Sequence, residues 1–165
     1  MIIYIASALG FADSTKGFNE IIVNKLRNNV REIKILNPWD YNPEVVMEFK
    51  IATKTHDPDL RRKRLHKIDF MLGEKNKHDI EKADAILAIL DGVDVDSGTA
   101  AEIGYAFAKK KLIIGYRGDI RKTGDNEGVV VNLQVQYFIE ASGGKIVTSI
   151  DDAIEIFKTR IEEDH

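Results

Sequence analysis

The residues best suited to chemistry lie in Ala83–Tyr105, ADAILAILDGVDVDSGTAAEIGY. An apolar run ends at Leu90 and gives way to an acidic, glycine-punctuated loop carrying Asp91, Asp94 and Asp96. A helical pattern follows from Thr99 and puts Glu102 in its first turn. Unpaired N–H groups and partial positive charge at a helix N-terminus favour a carboxylate, so Glu102 is expected to be ionised at neutral pH. Gly98 lets a ligand approach the backbone closely. Asp96 lies six residues before Glu102, across the loop-to-helix turn, a separation that lets both carboxylates face one pocket. Two carboxylates at the anomeric carbon of a sugar support glycosyl transfer with retention. One forms a covalent glycosyl ester while another group handles the proton on the leaving group. A plainer reading exists for the same residues. Thr99-Ala100-Ala101-Glu102 also fits a capping box, and Asp94 and Asp96 also fit solvated turns. Spacing alone leaves both readings open.

Asp96-Ser97-Gly98-Thr99-Ala100-Ala101-Glu102-Ile103-Gly104, after a strand that runs into Leu90-Asp91-Gly92, resembles the signature of the nucleoside 2-deoxyribosyltransferase family. The resemblance implies that Glu102 is the nucleophile and that Asp96 binds the sugar. It extends over most of the chain. Ile3-Tyr4-Ile5-Ala6-Ser7, followed by Gly10-Phe11, is similar to the family's first strand and substrate loop. On that match Tyr4 is the tyrosine near the nucleophile, while Ser7, Gly10 and Phe11 border the substrate. Asn37-Pro38-Trp39 resembles the turn after the second strand, and Trp39 is suited either to stacking on a base or to packing. Val131-Asn132-Leu133-Gln134 resembles an Asn-Leu-Met segment whose asparagine reaches the site of a neighbouring subunit; Gln134 stands at the methionine position. One departure is evident. The family often carries a base-contacting aspartate eight residues before the Ala-Asp that opens its third strand. Here that count, taken back from Asp84, lands on Asn76, with Asp79 one turn further on. An amide donates and accepts hydrogen bonds but is no acid, which leaves the protonation of the leaving base unassigned.

These resemblances imply an enzyme that transfers 2-deoxyribosyl groups between bases, with Glu102, Asp96 and Tyr4 as its catalytic residues. Ser7, Gly10, Phe11, Asn76, Gly98, Asn132 and Gln134 would bind substrate. The expected partners are deoxynucleosides, free nucleobases and further copies of the chain, as a dimer or dimer-based hexamer with shared sites. No cofactor and no metal are expected. Two alternatives are weighed. A related family of deoxynucleoside 5′-monophosphate N-glycosidases uses the same glutamate but holds a phosphate with an arginine in its first loop. Here Ser7–Ser14 has no arginine and contains Asp13, which disfavours a dianion. The other is a non-catalytic nucleoside-binding protein on the same fold. Retention of Glu102, Asp96 and Asn132 argues against it.

The elements that must position these residues are legible as periodicity. Ile2–Ala6, Glu32–Leu36, Ala85–Leu90 and Leu112–Tyr116 read as strands covered on both faces, with a shorter one at Lys145–Thr148. Between them Thr15–Asn29, Pro43–Thr55, Asp59–Lys82, Thr99–Lys110, Asn132–Ala141 and Asp151–Glu163 read as helices. Ser14 or Asp13 is the expected N-cap of the first, and Gly73 marks a break in the third. Alternating strands and helices with right-handed crossovers give an α/β fold. The expectation is one domain with a doubly wound, flavodoxin/Rossmann-like, five-stranded parallel sheet. Ligands of such sheets bind beyond the carboxyl ends of the strands, which directs attention to Ser7–Ser14, Asp91–Gly98 and Arg117–Val131.

Composition narrows the field. Among 165 residues 44% are hydrophobic and 31% charged, an ordinary globular balance. The absence of cysteine excludes disulfides, thiolate metal sites and cysteine nucleophiles. A formal charge of −3 gives no electrostatic case for nucleic acid. MIIYIASALGF is too short to span a bilayer and lacks a basic lead-in, so a cytoplasmic protein with no membrane partner is expected. His56, His66, His78 and His165 are scattered and read as surface residues. The basic run Arg61–Lys67 reads as a solvated helix face, and neither Gly115/Gly118 nor Gly124–Gly128 has phosphate-loop spacing. Tyr137, Phe138 and Ile139 read as core or subunit interface.

Overall fold

Short runs rich in β-branched and aliphatic residues favour extended chain buried on both faces, and the computed structural model, which describes residues 1–163, places five strands side by side. In chain order the elements are β1 (Ile2–Ala6), α1 (Asp13–Asn29), β2 (Lys34–Leu36), α2 (Pro43–Lys54), α3 (Pro58–Lys82) and β3 (Ala85–Ile89). They continue with α4 (Ser97–Ala108), β4 (Leu112–Tyr116), α5 (Leu133–Ala141), β5 (Ile146–Val147) and α6 (Ile150–Glu163). All strands are parallel, in the order β2-β1-β3-β4-β5. The order reverses at β1, so the crevice between the carboxyl ends of β1 and β3 is the topological switch point.

The two-residue repeat of a strand divides the core into two layers. Ile3, Ile5, Leu87 and Ile114 point toward α1 and α6, with Ile22, Leu26, Ile154 and Phe157. Tyr4, Ala6, Ile86, Ala88 and Ile113 point the other way, toward Ile80 of α3, Ile103 of α4 and Ile139 of α5. That parity carries Tyr4, alone among the apolar neighbours of β1 in having a hydroxyl, to the α4 side. A third, smaller cluster of Val45, Ala52 and Ile68 holds α2 against α3 away from the sheet. The doubly wound parallel architecture is therefore as the sequence implies.

Element ends depart from expectation for local reasons. β2 starts at Lys34 rather than Glu32, because Glu32 has φ 56°, outside the extended region. α1 is capped by neither Ser14 nor Asp13. Its N-cap is Ala12, whose side chain offers no hydrogen bond, and Asp13 sits in the first turn paired with Lys16. Gly73 does not interrupt α3, which runs unbroken for 25 residues from the Asp57 cap. α5 ends where Gly143 turns to φ 86° and Gly144 N–H reaches the Ile139 carbonyl at 3.2 Å. The basic run lies exposed on α3, with Arg64 and Lys67 paired to Glu48 of α2. His56, His66 and His78 are exposed; His165 lies outside the described residues. Among the described residues no helix is long and apolar enough to cross a membrane.

Candidate active site

Helix α4 is capped by Asp96, whose Oδ2 accepts from the Thr99 N–H at 3.0 Å. The helix thus begins at Ser97, two residues earlier than the apolar pattern suggests. This overturns the capping box: Thr99 is inside the helix, and Glu102 is in the second turn, bonded elsewhere. Tyr4 Oη donates to Glu102 Oε1 at 2.7 Å, and Asn76 Nδ2 donates to the same oxygen at 3.3 Å. One face of β1, one of α3 and one of α4 therefore converge on a single carboxylate oxygen. Oε2 has no hydrogen-bond partner among the described residues, and Glu102 lines a cavity of about 400 Å³, a size usual for small-molecule sites. A larger depression of about 830 Å³ runs along β5 and α6, far from this convergence of polar groups.

The electrostatics also differ from expectation. Glu102 is beyond the reach of the free N–H groups of the first turn, and burial dominates. Desolvation pushes its carboxyl up to about 7, assisted by the nearby Asp96 and opposed by the hydrogen bonds from Tyr4 and Asn76 and by Lys75. Glu102 is therefore divided between its two protonation states at neutral pH rather than fully ionised. Burial and the adjacent Glu102 push the Tyr4 hydroxyl far up, so Tyr4 stays protonated and serves as a donor. Lys75 Nζ, which moderates Glu102, is held by Asp79 at 2.9 Å.

The remaining predicted residues fall into two groups. Ser7, Phe11, Asn76, Asp96 and Gly98 all border the cavity with Glu102. Gly10 acts from behind it: a Cβ there would lie 2.0 Å from the Trp39 ring, so only glycine admits that close approach. The indole is fixed by its Nε1–H donating to the Ser7 carbonyl at 3.0 Å, with Phe11 edge-on at 4.6 Å. Asn132 and Gln134 are not brought to this cavity. Asn132 caps α5, its Oδ1 accepting from the Gln134 and Val135 N–H groups, and Gln134 is exposed. Of the three loops singled out, Arg117–Val131 contributes nothing to the lining.

Sequence reasoning missed the α3 wall of the cavity and one buried arginine. Asp69, Leu72 and Gly73 of α3 line the cavity beside Asn76. Their i, i+3, i+4, i+7 spacing was visible, but nothing in it distinguishes a cavity face from a solvent face. Arg117, at the end of β4, is 2% exposed and donates to the carbonyls of Leu90, Gly92 and Arg121. It ties the loop before α4 to the loop after β4. Among the described residues no cluster of three or more His, Asp or Glu suits a metal ion.

Residues 3–134 match the sequence model of the nucleoside 2-deoxyribosyltransferases. No curated protein sequence matches the chain. Among solved structures, a conserved protein from Enterococcus faecalis V583 is similar over 97% of this chain and 98% of its own, at 22% identity and TM-score 0.71. A 2-desoxiribosyltransferase from Leishmania mexicana is similar over 96% and 97%, at 22% identity and TM-score 0.60. A CMP N-glycosidase from Clostridium botulinum is similar over 97% and 99%, at 15% identity and TM-score 0.54. At these identities the structural likeness is one of fold.

Proposed function

The chain belongs to the nucleoside 2-deoxyribosyltransferase family, and from that premise we propose that it exchanges the base of a 2′-deoxynucleoside through an ester on Glu102. In the first step Glu102 Oε2 bonds to C1′, the C1′–N bond breaks, and its electron pair leaves with the base, which takes up a proton. In the second a ring nitrogen of another base attacks C1′ and expels the carboxylate, that base giving up its N–H proton, so protons balance over the cycle and two inversions give retention. Tyr4 and Asn76 hold Oε1 and leave Oε2 to react. Asp96, whose Oδ1 is not used in capping, binds a sugar hydroxyl. Trp39 and Phe11 offer aromatic surface to the base.

The observation that carries this reading is a carboxylate held by one oxygen on the wall of a cavity with no Lys, Arg or His among its described lining residues. That lining favours an unphosphorylated nucleoside over a nucleotide, and hence transfer over the N-glycosidase reaction of the Clostridium botulinum relative. We further propose a homo-oligomer whose neighbouring subunit supplies Asn132. Supporting it, Leu133 and Tyr137 on α5 are 50% and 57% exposed, beside stacked Phe107 and Phe138.

Incubation with deoxyinosine, with and without a second free base, tests the reaction by chromatography. Base exchange is expected. Release of hypoxanthine to water at the same rate without an acceptor means a hydrolase, and no turnover means a binder. A 2-fluorinated deoxynucleoside should leave its adduct on Glu102; a label on Asp94 or Asp96 would reassign the nucleophile.

A further inference from the structure

A second cavity, of about 340 Å³, lies between α1 and the loop that follows β2, within the size range of small-molecule sites. Trp39 and Tyr41 border both this cavity and the one that holds Glu102, whereas Glu102, Asp96 and Asn76 line the catalytic one alone. Helix α1 supplies Lys16, Asn19 and Glu20, whose i, i+3, i+4 spacing puts them on one helix face, and the loop supplies Asp40. Asn19 is the informative residue. It is 3% exposed, yet its Oδ1 is buried without a hydrogen-bond partner among the described residues. An unpaired buried amide oxygen is unfavourable, so it calls for a donor from outside the chain. Water alone would meet that need, but the rest of the lining asks for more.

The charges around Asn19 are unequal. Lys16 is turned to Asp13, its Nζ 2.7 Å from Oδ1, which neutralises it. Glu20 and Asp40 have no salt bridge among the described residues; Asp40 Oδ1 accepts from the Asn37 amide at 3.3 Å. The surplus is two carboxylates beside two aromatic rings, a combination that attracts a cation. A divalent metal ion finds too few ligands, since among the described residues no three His, Asp or Glu come together. An alkylammonium ion suits the same groups. Its N–H groups donate to Asn19 Oδ1 and the carboxylates, and its methylenes lie along the indole. We infer that this cavity binds a small alkyl diammonium ion, one end held by Asn19 and Glu20 on α1 and the other by Asp40 beside Trp39. The site is separate from the reaction at Glu102 and does not depend on it.

The test is a titration of the whole chain with 1,4-diaminobutane at pH 7 and about 0.15 M NaCl, followed by Trp39 fluorescence. Saturable binding is expected, about tenfold or more tighter than that of 1-aminobutane. Glu20→Gln combined with Asp40→Asn weakens it by about tenfold or more; both positions are exposed, so folding is spared. Asn19→Leu weakens it too, and an unchanged or raised Tm separates a lost acceptor from a lost fold. Lys16→Met strengthens binding by removing a competing cation, while Glu155→Gln on α6 leaves it where it is. Because Trp39 also borders the catalytic cavity, Asp96→Asn is the control for binding there, and it leaves the affinity unchanged. Four results overturn the inference: no saturable binding, 1-aminobutane binding as tightly, Mg²⁺ binding more tightly, or a loss that follows Asp96→Asn rather than the Glu20 and Asp40 pair.

Discussion

Replacing Glu102 with glutamine should abolish turnover and yet make the protein more stable above neutral pH. In the folded chain its carboxyl is raised from 4.5 to about 7, chiefly by burial. The sign follows from proton linkage. Below about 4.5 the residue is protonated whether folded or not, and its contribution to stability is fully present. As pH rises through about 7 that contribution is lost, because the folded state must carry a desolvated charge that the unfolded chain carries in water. A shift of this size corresponds to about 3 kcal/mol. Glutamine keeps an acceptor for Tyr4 and Asn76 but never ionises. Solvent at Oε2 screens part of the penalty, so the variant should gain roughly 1–3 kcal/mol over wild type at pH 8. The gain should vanish near pH 4. Urea unfolding of both proteins from pH 4 to pH 8.5, plotted as their difference, measures it directly. A difference that is flat with pH, or a glutamine variant less stable at pH 8, would refute a carboxylate destabilised by burial.

Other substitutions probe the rest of the site. Tyr4→Phe removes the strongest hydrogen bond holding Glu102 ionised, so the acid limb of kcat/KM, expected near pH 7 in wild type, should move to higher pH. An unmoved limb would detach Tyr4 from Glu102. Gly10→Ala drives a methyl into Trp39 and should cost about 1–3 kcal/mol. Trp39 is the only tryptophan, so its fluorescence reports the displacement. Asn132→Ala removes the cap of α5 at a cost of about 1 kcal/mol. Mixed with inactive Glu102→Ala subunits it should regain partial activity, and a fully active monomer would exclude a shared site. Arg117→Met strands the buried carbonyl of Leu90 and the part-buried one of Gly92 and should destabilise by about 3 kcal/mol in urea unfolding.

The sheet was legible because β1, β3 and β4 are unbroken apolar runs between turn residues, and such runs have few alternatives to a covered parallel sheet. The pairing of Tyr4 with Glu102 was reachable only through resemblance, since 98 residues separate them in sequence. What periodicity got wrong concerned single residues at element ends. Asp96 competes with Thr99 to cap α4, and hydrogen bonding at the loop, not apolar spacing, decides the winner. That two-residue error also inverted the electrostatics of Glu102, since helix-end stabilisation fades beyond the first turn while burial does not. Gly73 read as a breaker because propensity is a local measure, whereas α3 is held at both ends by neighbours. Arg117 escaped notice because its partners are backbone carbonyls, which leave no trace in side-chain patterns.

The small cluster of Val45, Ala52 and Ile68 divides the molecule by local stability as well as by shape. Segments resting on few buried apolar contacts open at lower free energy than those embedded in the main core. Amides of α2 and of α3 as far as Gly73 should therefore exchange with deuterium sooner than those of β1, β3 and α4, which share the two large layers. The boundary falls across the cavity itself: Asp69 and Gly73 stand on the breathing side, Tyr4 and Glu102 on the slow side. In the proposed cycle, which swaps one base for another while the sugar stays in place, opening should come on the α3 side of the cavity and leave Tyr4 and Glu102 where they are.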